Sequence, residues 1–195
     1  MKLNIMPGRI VVKQHAAKLK GVIQLPPNRA KLYEIGEVVA VGALEGYGPE
    51  GKYSTKETYA EGDLVLFQLP ASLAAGITFD IKGSMNCFLH IEDVLAKLSC
   101  DLIDIKNFQI AGRFLLLTPS VREASNVIIT PGNAEEARKE QLHFSVLQWG
   151  KDVKHSFAKG QEVFPDKGRV NPITLDNQEF VFTDQQFIYG TLDMD

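Results

Sequence analysis

The residues with the clearest chemical pattern are Gly46-Tyr-Gly-Pro-Glu-Gly-Lys52, which fit the first seven positions of a phosphate-binding loop. In such a loop glycine amides cradle phosphates and the lysine reaches the terminal ones, but the eighth position must be Ser or Thr to hold magnesium. Here it is Tyr53, and Ser54 to Asp63 is polar where an apolar helix should follow. Nucleotide binding is set aside. Cys87 and His90 are metal ligands by type, yet three residues apart on a strand they face opposite sides, and no further Cys or His cluster completes a zinc site. No G-x-S-x-G elbow is present. No catalytic residue, metal or cofactor is expected. The remaining chemistry is apolar contact. Lys18 to Lys31 holds basic and polar residues and two prolines around Gly21-Val22-Ile23-Gln24-Leu25-Pro26. A small apolar cluster of this kind suits either a partner's groove or an ordinary core strand, and residue types alone leave both open. Val127, Ile128 and Ile129 form a second cluster.

Composition narrows the partners. The 195-residue chain has a formal net charge of -3, so it carries no basic field for nucleic acid. No apolar run approaches the roughly 20 residues that span a bilayer. The N-terminal MKLNIMPGRIVVK has Asn, Pro, Gly and Arg where a signal peptide needs an unbroken apolar core. A cytoplasmic protein is expected, with no membrane contact. Cys87 and Cys100 do not make a disulfide framework.

The elements that would position these residues are short β-branched runs between turn residues: Arg9 to Lys13, Glu37 to Val41, Asp63 to Phe67 and Asn86 to Ile91. Four to six residues flanked by Gly indicate strands, and many such strands indicate a barrel or sandwich. The order recurs. Gly8-Arg-Ile-Val-Val12 is echoed by Gly112-Arg-Phe-Leu-Leu116, Val22 to Pro26 by Val127 to Pro131, and Glu37 to Gly42 by Phe144 to Gly150. Gly62-Asp-Leu-Val65 is echoed by Gly160 to Phe164, and Ile91 to Leu95 by Asp184 to Ile188. Offsets of 104, 105, 108, 98 and 93 residues drift by loop-sized changes. A duplicated all-β unit is implied: domain 1 over residues 1–98, a linker over 99–106 and a divergent domain 2 over 107–195. Between Asn133 and Lys139 a capped short helix and a solvated loop are equally compatible with the residues.

The first half resembles the GroES-type co-chaperonins. Arg9-Ile-Val-Val-Lys13 matches the family's first strand, and Gly21 to Pro26 stands where its mobile loop carries an apolar segment. Gly36-Glu-Val-Val-Ala-Val-Gly42 follows at the family's spacing, then Gly62-Asp-Leu-Val-Leu-Phe67 and Ile91-Glu-Asp-Val-Leu-Ala96. Gln24 replaces the middle aliphatic residue of the binding triplet, and Ile91 stands where Ser is usual. The resemblance implies two tandem GroES-like, partly open β-barrels. The first would have a roof hairpin over Ala43 to Ala60, including Tyr47 and Tyr53; the second is too short between Gly150 and Gly160 for a roof.

The function so implied is a co-chaperonin that caps an ATP-dependent chaperonin ring in its ATP- or ADP-bound state, over encapsulated unfolded proteins. Residues 21–26 would be the binding loop and Val127, Ile128 and Ile129 a possible second one. In this family a first strand pairs with a neighbour's last strand, here Leu3 to Met6 with Val94 to Leu98, so a homo-oligomer is expected. Two domains per chain are compatible with a side-by-side ring or with a second domain stacked outside it. The competing reading, from a different class, is a structural or assembly protein that kept the barrels and lost chaperonin binding.

Overall fold

A computed structural model describes residues 4–14, 23–24, 33–48, 51–68, 78–81, 83–100, 104–120, 143–175 and 178–192. The helix considered at Asn133 and the cluster Val127–Ile129 lie outside these residues. The described chain is all-β, with four single-turn 3-10 segments and no α-helix. Two seven-stranded sheets contain almost all of it.

The first sheet takes β1 (Arg9–Gln14), β3 (Tyr33–Val41), β6 (Leu64–Gln68), β7 (Thr78–Ile81), β8 (Ser84–His90), β9 (Val94–Leu98) and β10 (Phe108–Ile110) in the order β10-β9-β6-β3-β1-β8-β7. The second takes β2 (Ile23–Gln24), β11 (Phe114–Ser120), β12 (His143–Trp149), β13 (Glu162–Pro165), β14 (Asn171–Leu175), β15 (Gln178–Asp184) and β16 (Ile188–Leu192) in the order β16-β13-β12-β11-β15-β14-β2. Removing β10 from one and β2 from the other leaves two six-stranded sheets of identical order. Neither sheet closes on itself among the described residues, as partly open barrels require.

The duplication extends to irregularities. The β1–β3 ladder skips a residue between Val11 and Val12, and β11–β12 does so between Leu116 and Leu117. The β6–β9 ladder skips between Leu66 and Phe67, and β13–β16 between Phe164 and Pro165. A bulge bends and twists its strand, so matching bulges curl the two sheets alike. These registers correct the outermost sequence matches. Arg9 stands opposite His90 as Phe114 stands opposite Asp184, so the true offsets are 105 at the first strand and 94 at the last. The glycines misled: left-handed Gly8 and Gly112 occupy successive positions of the two turns rather than the same one.

Two signature glycines have a steric reason. A Cβ on Gly36 would lie 2.2 Å from Val12 Cγ1, and one on Gly42 would lie 2.3 Å from the Met6 carbonyl oxygen. Gly150, the counterpart of Gly42, is equally crowded by the Gly112 carbonyl oxygen at 2.3 Å. Strand crossings this close admit no side chain.

Each sheet wraps a core. Ile10, Val12, Val38, Val65, Phe67 and Cys87 form the first. Leu115, Leu117, Phe144, Val146, Val163 and Val181 form the second. A third cluster joins them: Leu66, Leu95, Leu98, Phe108 and Ile110 of the first sheet pack with Leu116, Ile173, Leu175, Phe180 and Phe182 of the second. The edge expected to face a neighbouring chain, Val94 to Leu98, is therefore not open. Phe108–Ile110 of the same chain pairs along it, because β9 is apolar on both faces and needs cover.

Phe182 is fully buried in the joining cluster. Phe182→Ala should lower stability by about 3–5 kcal/mol and should split the calorimetric unfolding of the two sheets into separable transitions. The unmodified chain should unfold in one.

Candidate functional site

Both expected binding segments hang from equivalent corners. Residues 15–32 leave the first sheet where Gln14 stands opposite Gly36. Residues 121–142 leave the second where Ser120 stands opposite His143. Gly21, Val22, Leu25 and Pro26 lie outside the described residues, as do Val127, Ile128 and Ile129. Ile23 and Gln24 are described in backbone only. They form the two-residue strand β2 on the edge of β14, with Gln24 opposite Thr174 and Ile23 opposite Leu175. The sequence offered a groove-binding loop or an ordinary core strand; in backbone, Ile23 and Gln24 pair with the edge of the second sheet.

The segment read as a roof contains a two-stranded hairpin, β4 (Glu45–Gly48) and β5 (Gly51–Ser54). Tyr47 stands opposite Lys52 and Tyr53 opposite Gly46, so the two tyrosines lie on facing strands of the ribbon.

The base of this hairpin docks on the second sheet. The Thr55 hydroxyl donates to Asp152 Oδ2, and the Lys56 amide donates to Asp152 Oδ1 at 2.7 Å. Glu57, 1% exposed, accepts from the Lys151 amide at 3.2 Å, and the Lys151 ammonium lies 3.3 Å from its other oxygen. That second oxygen has an ion-pair neighbour but no well-directed hydrogen bond. A buried carboxylate held this way fixes a register more than it adds stability. Arg113 joins the two halves again, 3.1 Å from Asp184 and 3.9 Å from Glu92. Between these contacts lies a cleft of about 670 Å³, with Tyr59, Glu92, Arg113 and Asp152 in its walls. Its charged groups face one another across the joint, so the cleft belongs to the joint.

Cys87 and His90 do not act together. Cys87 lies in the first core, where burial pushes its thiol up to about 12. His90 Nδ1 accepts from the Glu92 amide at 3.4 Å and caps the 3-10 turn Ile91–Asp93. Among the described residues no cluster of His, Cys, Asp and Glu is arranged to hold a metal. No helix among them is long and apolar enough to cross a membrane.

Sequence reasoning missed the contacts of Thr55, Glu57, Lys151 and Asp152, and Glu57, read as part of the roof's polar rim, is buried at the joint. Their contacts span more than 90 residues of chain and follow no local period. The only sequence signal was their position beside landmarks, just after the hairpin and just after Gly150.

Comparison with known proteins bears on the first half. The family described as the chaperonin 10 kDa subunit matches residues 2–98. No curated protein matches the chain.

Asp93, next to Glu92, is pushed up to about 6, first by burial and second by the charge of Glu92, with Arg9 opposing. A native carboxyl raised above its unfolded value binds its proton more tightly in the fold. Stability should therefore fall as pH rises from the ordinary carboxylate range to about 6, and stay lowered above it. Asp93→Asn should melt higher than the unmodified chain at neutral pH, and the difference should vanish at pH values near the ordinary carboxylate range.

Proposed function

Residues 2–98 are a domain of the chaperonin 10 kDa subunit family, and from that membership we propose that the chain is a co-chaperonin that caps an ATP-driven chaperonin ring and encloses unfolded proteins. Residues 99–106 link this domain to a second, shortened GroES-like domain over 107–195. The family match carries the reading. The recurrence of strand order and bulges in the second sheet supports its extension to the whole chain.

In this reading Gly21 to Pro26 is the contact segment, and Ile23 and Leu25 enter an apolar groove on the chaperonin in its ATP- or ADP-bound state. Burying two such side chains contributes about 1.5–3 kcal/mol each, against about 1–2 kcal/mol for each backbone residue ordered. One loop binds weakly, and an assembly of loops gains through effective concentration. The β2–β14 pairing adds a competing state, since Ile23 and Gln24 must leave Thr174 and Leu175 to reach a partner. Two residues of ladder are a small barrier beside a ring's worth of contacts. The hairpin β4–β5 with Tyr47 and Tyr53 is placed as the roof rim, and Val127, Ile128 and Ile129 as a secondary contact. The work is cytoplasmic, needs no cofactor and is not catalytic.

The test compares Leu25→Asp with Thr130→Asp for ATP-dependent capture of a chaperonin ring and for melting temperature. A charge at Leu25 loses the burial contribution and adds a desolvation penalty of about several kcal/mol per site. Leu25→Asp should abolish capture while the melting temperature holds, and Thr130→Asp should weaken capture modestly. Unchanged capture by Leu25→Asp would exclude the first segment as the anchor. Failure of the unmodified chain to capture a chaperonin would favour an assembly protein built from the same barrels.

A further inference from the structure

We infer that the pairing of Ile23–Gln24 with the outer edge of β14 is an autoinhibitory contact, through which the second sheet holds back the segment proposed to meet the chaperonin. The contact itself rests on the two sheets; its effect rests on the co-chaperonin reading.

The outer edge of β14 receives a strand of short, fixed length. All of Asn171–Leu175 pairs with β15, whereas only Thr174 and Leu175 pair with β2. Pro172 sets the limit. Proline has no N–H to donate, so within a ladder it turns that side away from the neighbouring strand. Pro172 stands opposite Val181 of β15, and its nitrogen therefore faces the outer edge. Hydrogen-bonding groups alternate between the two edges from one residue to the next. Thr174 thus presents its N–H and C=O outward, while Ile173 and Leu175 turn theirs to β15. The outer edge offers one complete donor and acceptor pair before Pro172 removes the next donor. Gln24 stands opposite that pair, at Thr174.

Residue types agree with the register. Ile23 stands opposite Leu175, a buried member of the joining cluster, and Gln24 opposite the half-buried Thr174. Gln24 is also the residue that departs from the family's aliphatic triplet, and it departs where the receiving edge is polar. The first sheet has no such acceptor. Its equivalent edge strand, β7, carries Asp80 in place of Thr174, since Ile81 closes on Ser84 as Leu175 closes on Gln178. Asp80 Oδ1 accepts from the Gly83 amide at 2.9 Å, and no strand adds to β7 among the described residues. The acceptor belongs to the part of the chain that lies beyond the family match.

One exchanged pair of backbone bonds and one apolar cross-strand pair hold a segment by about tenfold. A segment paired with β14 cannot enter a partner's groove, so association is slowed by the fraction that is paired. The second sheet thereby slows the first encounter without preventing capture.

Hydrogen exchange and capture kinetics test this together. Thr174→Pro removes the outward donor and repeats what β14 already carries at Pro172, so the β14–β15 ladder and the melting temperature should hold. The Gln24 amide should exchange about tenfold faster in Thr174→Pro than in the unmodified chain, and a chaperonin ring with ATP should be captured about tenfold faster. Gln24→Cys with Thr174→Cys, in a Cys100→Ser background, should cross-link within one chain on oxidation, lose capture, and regain it on reduction. Equal Gln24 exchange in the unmodified and Thr174→Pro chains, or a cross-link that joins two chains, would overturn the contact. Faster exchange with unchanged capture, or capture by the oxidised chain, would overturn its autoinhibitory role. If neither the unmodified chain nor Thr174→Pro captures a chaperonin while Gln24 keeps its protection, the co-chaperonin reading fails and the role falls with it. The exchange result separates that failure from absence of the contact.

Discussion

An antiparallel sheet whose last strand is apolar on both faces cannot leave that strand at the edge. Val94, Leu95, Ala96 and Leu98 are all buried, although Lys97 between them is not. A bare strand of this composition invites pairing with another chain. Here Phe108–Ile110, ten residues further along, turns back and completes the ladder. The chain then enters β11 on the other side of the covered edge, which sets the second sheet against the first. The joining cluster, the cleft and the placement of both loop-bearing corners follow from that one strand pairing.

Two kinds of contact share the joint and do different things. The apolar cluster around Leu66, Leu95, Phe180 and Phe182 supplies stability, roughly in proportion to the area it removes from water. The polar contacts of Thr55, Lys56 and Glu57 with Lys151 and Asp152 select one alignment, because a buried carboxylate displaced from its donors is costly. They also tie the hairpin base to the second sheet. A ribbon of two short strands has little stability of its own, so this docking gives β4 and β5 a fixed platform.

The two sheets also exchange edges. The segment between β1 and β3 lends Ile23–Gln24 to the outer edge of β14, and Phe108–Ile110, just before β11, covers β9. Edges are thus covered in both directions. The β10 exchange is backed by a buried cluster; the β2 exchange is two residues long and lies within the segment proposed to meet the chaperonin. The first is suited to permanence and the second to release.

The β-strand content, the duplication and the family were legible in the sequence because they rest on local signals. Short β-branched runs bounded by Gly set the strands, and the landmarks Gly36, Gly42 and Gly62 of the first half are followed in the same order by Gly150 and Gly160 in the second, at a shorter interval. Their retention has a physical source: Gly36, Gly42 and Gly150 sit where a Cβ would collide with a neighbouring strand. That the segment proposed to meet the chaperonin falls between β1 and β3 was legible for the same reason. The one-residue slip at Gly8 and Gly112 was not, since a turn glycine marks a turn without fixing the ladder beside it, and register belongs to hydrogen bonds between distant strands. Nor could the sequence alone tell that β9 is covered from within, that Ile23–Gln24 pairs with Thr174–Leu175, or that Glu57 is buried against Lys151. Each depends on segments far apart in the chain meeting edge to edge, and a short apolar run reads the same whether its partner is its own sheet, the other sheet or another molecule. Local sequence determined what strands exist; only the tertiary structure decided which edges they cover, because edge pairing is settled by the competition among all the edges available.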